Sequence, residues 1–241
     1  MSEPHKDMVR RDNDYKRITD LMKTGESICL VAKRGVGKSR FLRYLSTEEL
    51  LKKQHINNSI CIYYLDLRSF VSTTNPYLIS KLCELFEVPE GEQPLTKKIK
   101  ELINLGKKVY VILDHFECLN NFENSSIEYL RFLRDSNKGS MGYIASYPDD
   151  YVPDAKVEPI KTICMIKHEL KPMNQEEMTA TVKDIAKRLD YKISKQQIDG
   201  VIKLSDGIAR NAKYLVSQLM TGVEDLQLPE YVATTNIPEE K

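Results

Sequence analysis

Residues 32–39 of this chain read Ala-Lys-Arg-Gly-Val-Gly-Lys-Ser, one residue away from the phosphate-binding pattern G-x-x-x-x-G-K-[ST]. The run Ser-Ile-Cys-Leu-Val at 27–31 precedes this loop and is typical of a short buried strand. From Phe41 onward, apolar residues recur at helical spacing. A strand, a glycine loop and a helix in this order bring backbone amides and a helix N-terminus to one point, where they can bind a phosphate. The alternative is an ordinary glycine turn before a basic helix.

The pattern assigns a role to most residues of the loop. Ala32 stands where the pattern has its first glycine, and one added methyl group is a small departure at a strand end. Gly35 and Gly37 keep two positions free for positive φ and close backbone approach. Lys38 is expected to reach the β- and γ-phosphates of ATP, and the Ser39 hydroxyl to hold Mg²⁺. The predicted nucleotide-binding residues of this segment are Gly35, Val36, Gly37, Lys38, Ser39 and Arg40.

The composition is that of a soluble globular chain without a dominant charge. Of 241 residues, 41% are hydrophobic and 29% are charged, and 36 basic against 35 acidic residues give a net charge of +1. This balance argues against a strong field for nucleic acid, although a local basic patch could still bind it. No apolar run predicts a transmembrane helix, and the first residues lack the core of a signal peptide. Five scattered cysteines favour reduced thiols over disulfides or zinc, so we expect a cytoplasmic protein.

Strand-like and helix-like segments alternate up to about residue 170, which predicts a parallel α/β sheet flanked by helices. The predicted strands are 27–31, 59–67, 107–113, 142–147 and 162–166. The predicted helices are 13–24, one directly after the glycine loop, 76–86, 96–105, 126–135, 174–189, 195–204 and 208–220, with Asn174 and Ser194 as N-caps. We therefore predict an α/β core at 1–170, a small helical lid at 171–220 and a tail at 221–241.

The third predicted strand ends in Leu-Asp-His-Phe-Glu at 113–117. Asp114 stands at the strand tip, where a phosphate-binding fold has the aspartate that holds Mg²⁺; an Asp that simply ends a strand is the alternative. Hydrolytic enzymes of this kind commonly have a water-activating glutamate next, but this chain has His115. Histidine can act as a base near neutral pH, and Glu117 would lie on the same face if the strand continued. The candidate catalytic residues are therefore Asp114, His115 and Glu117, and the candidate metal ligands Ser39 and Asp114, while slow or absent hydrolysis stays open.

Three further polar residues stand at the ends of predicted elements. Ser146, at the end of the fourth strand, could hydrogen-bond a γ-phosphate or its water, and Asp66 is better explained as capping a turn. Arg210 lies in the first turn of a helix, after Gly207. A positive side chain is unfavourable at that end of the helix dipole and invites an anionic partner such as a nucleotide phosphate. A solvated surface arginine is the alternative.

Taken together, these residues resemble the P-loop ATPases of the AAA+ and STAND type, with a pattern most similar to archaeal and bacterial ATPases related to replication initiators. The resemblance covers residues 8–220. Besides the loop and the Asp114 segment, it includes an arginine-rich lead at 9–12, the strand Tyr-Tyr-Leu-Asp-Leu at 63–67 and the run Glu-Leu-Lys-Pro-Met at 169–173. It ends at Gly-Ile-Ala-Arg, 207–210, which looks like the sensor-2 motif.

The resemblance implies an ATP-driven switch, in which the helical lid closes on ATP and Mg²⁺ and a neighbouring subunit or another protein reads the closed state. Residues 9–15 would lie near the adenine. Arg131 and Arg134 are candidates for a trans-acting arginine, although such families usually carry it after the fourth strand, where 149–161 contains none. No winged-helix DNA-binding domain is expected after the lid, so the effector function is expected on another polypeptide, in a homo- or hetero-oligomer away from membranes.

The leading interpretation is therefore an ATP-binding regulatory ATPase of a multiprotein assembly, with slow or partner-stimulated hydrolysis. A non-hydrolysing, ATP-dependent scaffold is the alternative that His115 favours. A DNA-loading ATPase of a replication or transposition machine is a third interpretation, with lysines near 52–53 and 97–100 against the duplex. The near-neutral charge weighs against it. A small-molecule kinase fits the lead and lid motifs less well.

Overall fold

The computed structural model describes residues 11–56, 59–164, 166–223 and 225–228, and for residues 162 and 163 only the backbone. Residues 9 and 10, expected near an adenine, and the predicted tail beyond residue 228 lie outside the described residues. The expectations about them stay predictions.

Five parallel strands form one sheet, in the order β2-β3-β4-β1-β5. The strands are β1 (Ile28–Ala32), β2 (Ile60–Asp66), β3 (Lys108–Asp114), β4 (Met141–Pro148) and β5 (Ile166–Glu169). Strands β1 and β4 are buried along their whole length, whereas most residues of the edge strand β2 are half-buried. Continuous burial explains why the inner strands are apolar runs without alternation, as expected for a parallel sheet covered on both faces.

The register of the sheet brings acidic side chains together at one edge. Asp66 ends β2, Asp114 ends β3, and the two are opposite each other in the parallel ladder. Strand β1 lies between β4 and β5, so the strand order reverses beside it. In open α/β sheets, ligands bind beyond the carboxyl ends of the strands at such a reversal.

Helices flank this sheet, with α4 against β2, α5 against β3 and α6 against β4. The helices are α1 (Asp12–Met22), α2 (Lys38–Leu45), α3 (Glu48–Lys53), α4 (Asn75–Leu85), α5 (Glu92–Asn104), α6 (Asn124–Asp135) and α7 (Glu158–Ile163). Short 3-10 helices at Leu67–Ser69 and Phe116–Asn121 follow β2 and β3. The fully buried side chains of this core include Tyr110, Tyr143, Phe86 and Phe116.

The described residues divide into two compact units. One comprises 12–31 and 39–169, and the other comprises Arg11, the loop 32–38 and the described part of 170–228. The second unit contains α8 (Gln175–Arg188), α9 (Lys195–Ser205) and α10 (Ala209–Met220), which pack on one another around an apolar core. That core includes Met178, Val182, Val201, Leu215 and Val216. The domain limits expected from the sequence stay predictions.

Asn174 and Ser194 are the N-caps of α8 and α9, as the sequence predicts, and each forms a capping box. The side chain of Asn174 accepts from the amide of Glu177, whose carboxylate accepts from the amide of Asn174 in return. Ser194 and Gln197 make the same exchange at the start of α9. Each box satisfies two of the amides that a helix N-terminus leaves without partners.

The structure confirms four of the five predicted strands and corrects the fifth. The strand predicted at 162–166 lies later in the chain: α7 extends to residue 163, and β5 begins at Ile166, which is opposite Ile28 of β1. Pro159 lies at the start of α7, where its fixed φ favours a helix. The helix predicted after the glycine loop is in fact two, α2 and α3, because Thr47 caps a new N-terminus by accepting from the amide of Leu50.

Candidate functional site

The glycine loop has the backbone conformations that its sequence predicts. Gly35 has φ +84° and Gly37 has φ +109°, a region that L side chains rarely adopt. A Cβ built on Gly37 would meet no described atom within 4 Å, so the backbone there faces open space. Ala32, the departure from the motif, is the last residue of β1 and is 2% exposed, so its methyl group fits within the strand.

Lys38 begins α2 and turns its ammonium group back onto the loop. Its Nζ donates to the carbonyl of Ala32 at 2.8 Å and to that of Lys33 at 3.4 Å. Val36, in the middle of the loop, has a buried side chain, and its amide donates to Lys33. The half-buried Ser39 and Arg40 follow in the first turn of α2. The loop therefore combines a positive charge with a helix N-terminus, the combination that binds phosphate.

Asp114 is the central carboxylate of the site. It ends β3 with no solvent exposure. Tyr64 donates to its Oδ2 at 2.5 Å, and Ser146 and the amide of His115 donate to its Oδ1 at 2.8 and 3.0 Å. Ser146, expected near a γ-phosphate, is thus a donor to Asp114 from the neighbouring strand β4.

The pKa of Asp114 is lowered despite its burial. Desolvation, the largest influence, raises this pKa, but hydrogen bonds from Tyr64, Ser39 and Ser146 and the nearby His115 together outweigh it. Burial and the Asp114 carboxylate raise the pKa of Tyr64 in turn, so its hydroxyl stays protonated. Asp114 is therefore held as an anion, the form that binds a cation.

His115 has a left-handed backbone, with φ 58° and ψ 49°. Its Nε2 lies 3.1 Å from the hydroxyl oxygen of Ser39 and 3.7 Å from Oδ2 of Asp114, and its Nδ1 lies 3.4 Å from Oε1 of Glu117. Few residues other than glycine adopt this conformation, and histidine is among the enriched ones. The turn ends β3 and points the imidazole at the first turn of α2.

Glu117 reaches His115 by a different route from the expected one. The strand does not continue past Asp114, and Glu117 lies in the 3-10 helix Phe116–Asn121. The left-handed turn at His115 still brings the two side chains together. The other oxygen of Glu117, Oε2, is buried and has no hydrogen-bond partner among the described residues.

The carboxylate of Asp66 has two sets of neighbouring groups, and the sequence predicts only one of them. Its Oδ1 accepts from the amide of Arg68 and so caps the turn after β2, as expected. Its carboxylate also lies beside Asp114 and His115, and one ligand atom of each of these three residues falls within 4.8 Å of the others. The guanidinium groups of Arg43 and Arg68 flank the same carboxylate at 3.6 and 3.4 Å.

Arg43 and Tyr64 are the members of this site that the sequence does not indicate. Nε of Arg43 donates to the hydroxyl of Tyr64 at 3.2 Å, and the guanidinium lies 5.3 Å from the ring centroid. The bond to Tyr64 raises the pKa of Arg43. Arg43 lies one helical turn after Ser39, so the spacing could have suggested a shared face; Tyr64 reads only as an apolar strand residue.

Comparison with solved structures identifies the architecture. ORC2 of Aeropyrum pernix, in ADPNP and ADP complexes, aligns with TM-score 0.61 and 14% identity over 93% of this chain and 66% of that one. The Walker-type ATPase PABY2304 of Pyrococcus abyssi aligns with TM-score 0.59 and 16% identity over 90% of this chain and 69% of that one. ORC1 of Aeropyrum pernix in complex with DNA aligns with TM-score 0.61 and 16% identity over 94% of this chain and 64% of that one. The chain has a P-loop NTPase fold, of the kind found in AAA+ ATPases. It spans about two thirds of the length of these structures.

No protein family's sequence profile matches the chain, and no curated protein sequence does. At 14–16% identity, the similarity to solved structures shows the fold alone. Among the described residues, no helix combines the length and apolar character needed to cross a bilayer.

Arg210 contacts the P-loop in the structure. Its amide donates to the carbonyl of Gly35 at 3.2 Å, and a Cβ on Gly35 would come within 3.0 Å of the Cβ of Arg210. The same Cβ would also lie 3.0 Å from Cγ2 of Ile208. The side chain of Arg210 is exposed beside the loop, so glycine at 35 serves both the positive φ and the approach of α10.

The two arginines considered for action on a neighbouring subunit differ sharply. Arg134 is 8% exposed and lies beside Asp135 and Glu26, at 3.2 and 3.6 Å. This burial and these ion pairs count against the trans-acting role expected for Arg134. The half-exposed side chain of Arg131 pairs with Asp135 at 3.5 Å.

The donors present fit a magnesium nucleotide. Mg²⁺ takes oxygen ligands, and Ser39 offers a hydroxyl while Asp114 offers an anionic carboxylate. The open backbone face at Gly37 leaves room for phosphate oxygens beside the loop amides. His115 adds an imidazole nitrogen to a set that otherwise consists of oxygen.

Proposed function

We propose that this chain binds ATP with Mg²⁺ and acts as a nucleotide-dependent switch whose intrinsic ATP hydrolysis is slow. The observation that carries the proposal is the contact of His115 with Ser39 beside Asp114. It joins two metal-binding side chains of a P-loop site to a histidine at the position where hydrolytic relatives commonly have a glutamate.

In this proposal the loop binds the phosphates. The amides of Gly35, Val36 and Gly37 donate to phosphate oxygens, and Lys38 moves from the carbonyls of Ala32 and Lys33 to the β- and γ-phosphates. Half-buried Arg40 in the first turn of α2 adds positive charge. Exchange of two carbonyl contacts for charged phosphates favours the bound state, because hydrogen bonds between ionised partners are stronger than those to neutral carbonyls.

Ser39 and Asp114 would hold Mg²⁺, which would neutralise the negative charge of the phosphates. Asp114 suits this role because its hydrogen bonds keep it ionised and fix its orientation. Ser146 and Tyr64 then act as positioning residues, since they contact the carboxylate rather than the nucleotide.

Hydrolysis needs a base that activates the attacking water, and this site has no carboxylate at the position where such a base commonly lies. His115 points at Ser39 and Asp114, and Glu117 contacts His115. Nε2 of His115, the nitrogen that would take a proton from water, faces Ser39 and Asp114, so it can serve as a base only when it does not bind the cation. A directly placed carboxylate is absent from position 115, and a general base is worth about 10²–10⁴-fold in rate. We therefore propose slow turnover that a partner stimulates.

Arg210 is proposed to sense the nucleotide from the first turn of α10. Its backbone contact with Gly35 and its exposed guanidinium support this role. The helical segment around it would act as the lid, and a second protein or another subunit would read the closed form. The ADPNP and ADP complexes of ORC2 support nucleotide binding by a chain of this fold.

The competing proposal is a scaffold that binds ATP without turnover, and His115 favours it as well. A DNA-loading ATPase draws support from the DNA complex of ORC1, but the net charge of +1 weighs against it. A single-turnover experiment with γ-labelled ATP separates the first two. Release of phosphate that the Lys38→Ala variant lacks supports a slow ATPase, whereas bound and intact ATP supports the scaffold. Absence of ATP binding would contradict both the slow ATPase and the scaffold.

A further inference from the structure

Three different donor atoms converge where the cation is proposed to bind. The hydroxyl oxygen of Ser39 lies 3.1 Å from Nε2 of His115, and Oδ2 of Asp114 lies 3.7 Å from the same nitrogen. We infer that His115 is a direct ligand of the nucleotide-bound cation, and that this site therefore prefers cations that accept imidazole, such as Co²⁺ and Mn²⁺, over Mg²⁺. This inference rests on the proposed nucleotide-binding function.

The distances suit donors that share one ion. A cation with bonds of about 2.1 Å to its ligands in octahedral geometry sets adjacent donors about 3 Å apart. The separations of 3.1 and 3.7 Å need only small side-chain movements to reach that value. The donors come from the first turn of α2 and the end of β3, so regular elements hold two of them.

The second nitrogen of His115 supports the same role. Nδ1 lies 3.4 Å from Oε1 of Glu117, and a hydrogen bond donated by Nδ1–H to this carboxylate would leave the Nε2 lone pair facing Ser39 and Asp114. A carboxylate behind a histidine is the usual support of a metal-binding imidazole, because it fixes the tautomer and orients the ring. The left-handed turn at His115 aims the ring from the strand end.

Asp66 is not assigned as a ligand, although it lies in the same group of acidic side chains. Arg43 and Arg68 already flank its carboxylate, and their positive charges oppose a second cation at that oxygen. The inference therefore concerns Ser39, Asp114 and His115.

The selectivity follows from ligand chemistry. Magnesium demands oxygen ligands and loses its waters reluctantly, whereas first-row transition metals accept imidazole nitrogen with affinity rising from Mn²⁺ through Co²⁺. Support of a metal-binding histidine by a carboxylate is worth about 10–100-fold in metal affinity. Glu117→Gln should therefore weaken binding of the Co²⁺ nucleotide by that factor and leave the Mg²⁺ nucleotide nearly unchanged.

The decisive test detects the nitrogen directly and does not require turnover. The full chain, prepared with ¹⁵N-labelled histidine, is saturated with Mn²⁺ and a non-hydrolysable ATP analogue and studied by pulsed electron paramagnetic resonance. We expect the hyperfine coupling of a coordinated ¹⁵N imidazole, which adenine cannot produce. His115→Gln should remove it, and His55→Gln, a change at an exposed histidine, should not.

The outcomes separate this inference from the function on which it rests. If Mn²⁺ and the analogue bind but labelled wild-type protein shows no histidine coupling, His115 is not a ligand and the inference is overturned while the P-loop function stands. A coupling that His55→Gln removes and His115→Gln keeps overturns it equally. If neither cation nor analogue binds, the proposed function fails and the inference fails with it.

Discussion

The hydroxyl of Tyr64 donates a 2.5 Å hydrogen bond to Oδ2 of Asp114, across the neighbouring strands β2 and β3. Arg43 holds the same hydroxyl from α2. Asp114 is thus oriented from two sides, by Tyr64 at one oxygen and Ser146 at the other. Both hydrogen bonds end on the carboxylate, so we expect Tyr64 and Ser146 to affect nucleotide binding through the orientation and charge of Asp114.

Tyr64→Phe should destabilise the protein and weaken its magnesium-dependent nucleotide binding. The change removes only the hydroxyl, and a hydrogen bond to a charged group contributes about 1.5–3 kcal/mol. Urea unfolding measures the first effect, and titration of a fluorescent ATP analogue at varied Mg²⁺ measures the second. Tyr63→Phe is the matched control, because Tyr63 stacks on Phe86 at 3.9 Å and keeps that contact as phenylalanine. Equal losses in the two variants would contradict a specific role for Tyr64.

The stability that Asp114 contributes should depend on pH in a defined direction. Its folded pKa is lowered, so its contribution is fully present above the unfolded value of about 3.9 and is lost as pH falls through the folded value. The difference in unfolding free energy between wild type and Asp114→Asn should therefore be constant near neutral pH and shrink below about pH 4. Urea unfolding at several pH values checks this. A difference that grows on acidification would mean that the folded pKa is raised.

Lys38→Ala should abolish most nucleotide affinity and leave the protein folded. In the structure the ammonium group donates to the carbonyls of Ala32 and Lys33 in its own loop, and Lys38 is only half-buried, so its removal should leave the apolar core intact. Isothermal calorimetry with ATP and Mg²⁺ measures the affinity, and circular dichroism measures the fold. Lys33→Ala, a change at an exposed residue of the same loop, should bind normally. Unchanged affinity in folded Lys38→Ala would remove the basis of the P-loop assignment.

ATP with Mg²⁺ should raise the thermal midpoint, and Arg210→Ala should reduce that gain. At about 100 times Kd, a ligand adds roughly 2.7 kcal/mol to stability by mass action. Arg210 should supply part of the affinity, whereas the exposed Lys213, later in α10, should supply none. Thermal shifts of Arg210→Ala and Lys213→Ala, with and without ATP, make the comparison. If both variants lose the same amount, Arg210 is only a surface charge.

His115→Glu should accelerate steady-state hydrolysis, up to the 10²–10⁴-fold typical of a general base. Asp114→Asn should abolish the residual activity because it removes the anionic metal ligand. Glu117→Gln tests whether Glu117 already assists His115, and a strong loss would assign it that role. Phosphate release under saturating ATP is the measurement. Brisk turnover by wild type that His115→Glu slows would show histidine to be the working base.

The sequence predicts the site well where chemistry is local. The P-loop is contiguous, so its strand, its two positive-φ glycines and its helix are confirmed by the structure. Asp114 could be placed at the edge of the sheet because an apolar strand ended at it. These inferences need only the chain direction and the physical demands of a phosphate.

Contacts made across the fold could not be predicted in the same way. Tyr64 looks like any half-buried strand residue until the register brings it to Asp114, and Arg134 reads as an exposed helical arginine until packing buries it. The sequence suggests that a continuing strand would bring Glu117 beside His115, but a left-handed turn and a 3-10 helix bring the two side chains together. The sequence places the fifth strand too early, because short apolar runs fit either a helix or a strand, and α7, with Pro159 in its first turn, extends into that segment.

The amide of Arg210, at the beginning of α10, donates a hydrogen bond to the carbonyl of Gly35. This amide should therefore respond to a change in the conformation of the P-loop. A phosphate that turns the Gly35 peptide would lengthen or break that bond, and the amide proton of Arg210 would register the change in its chemical shift and exchange rate. Loop occupancy could then be followed at a single backbone resonance, without a label and without turnover.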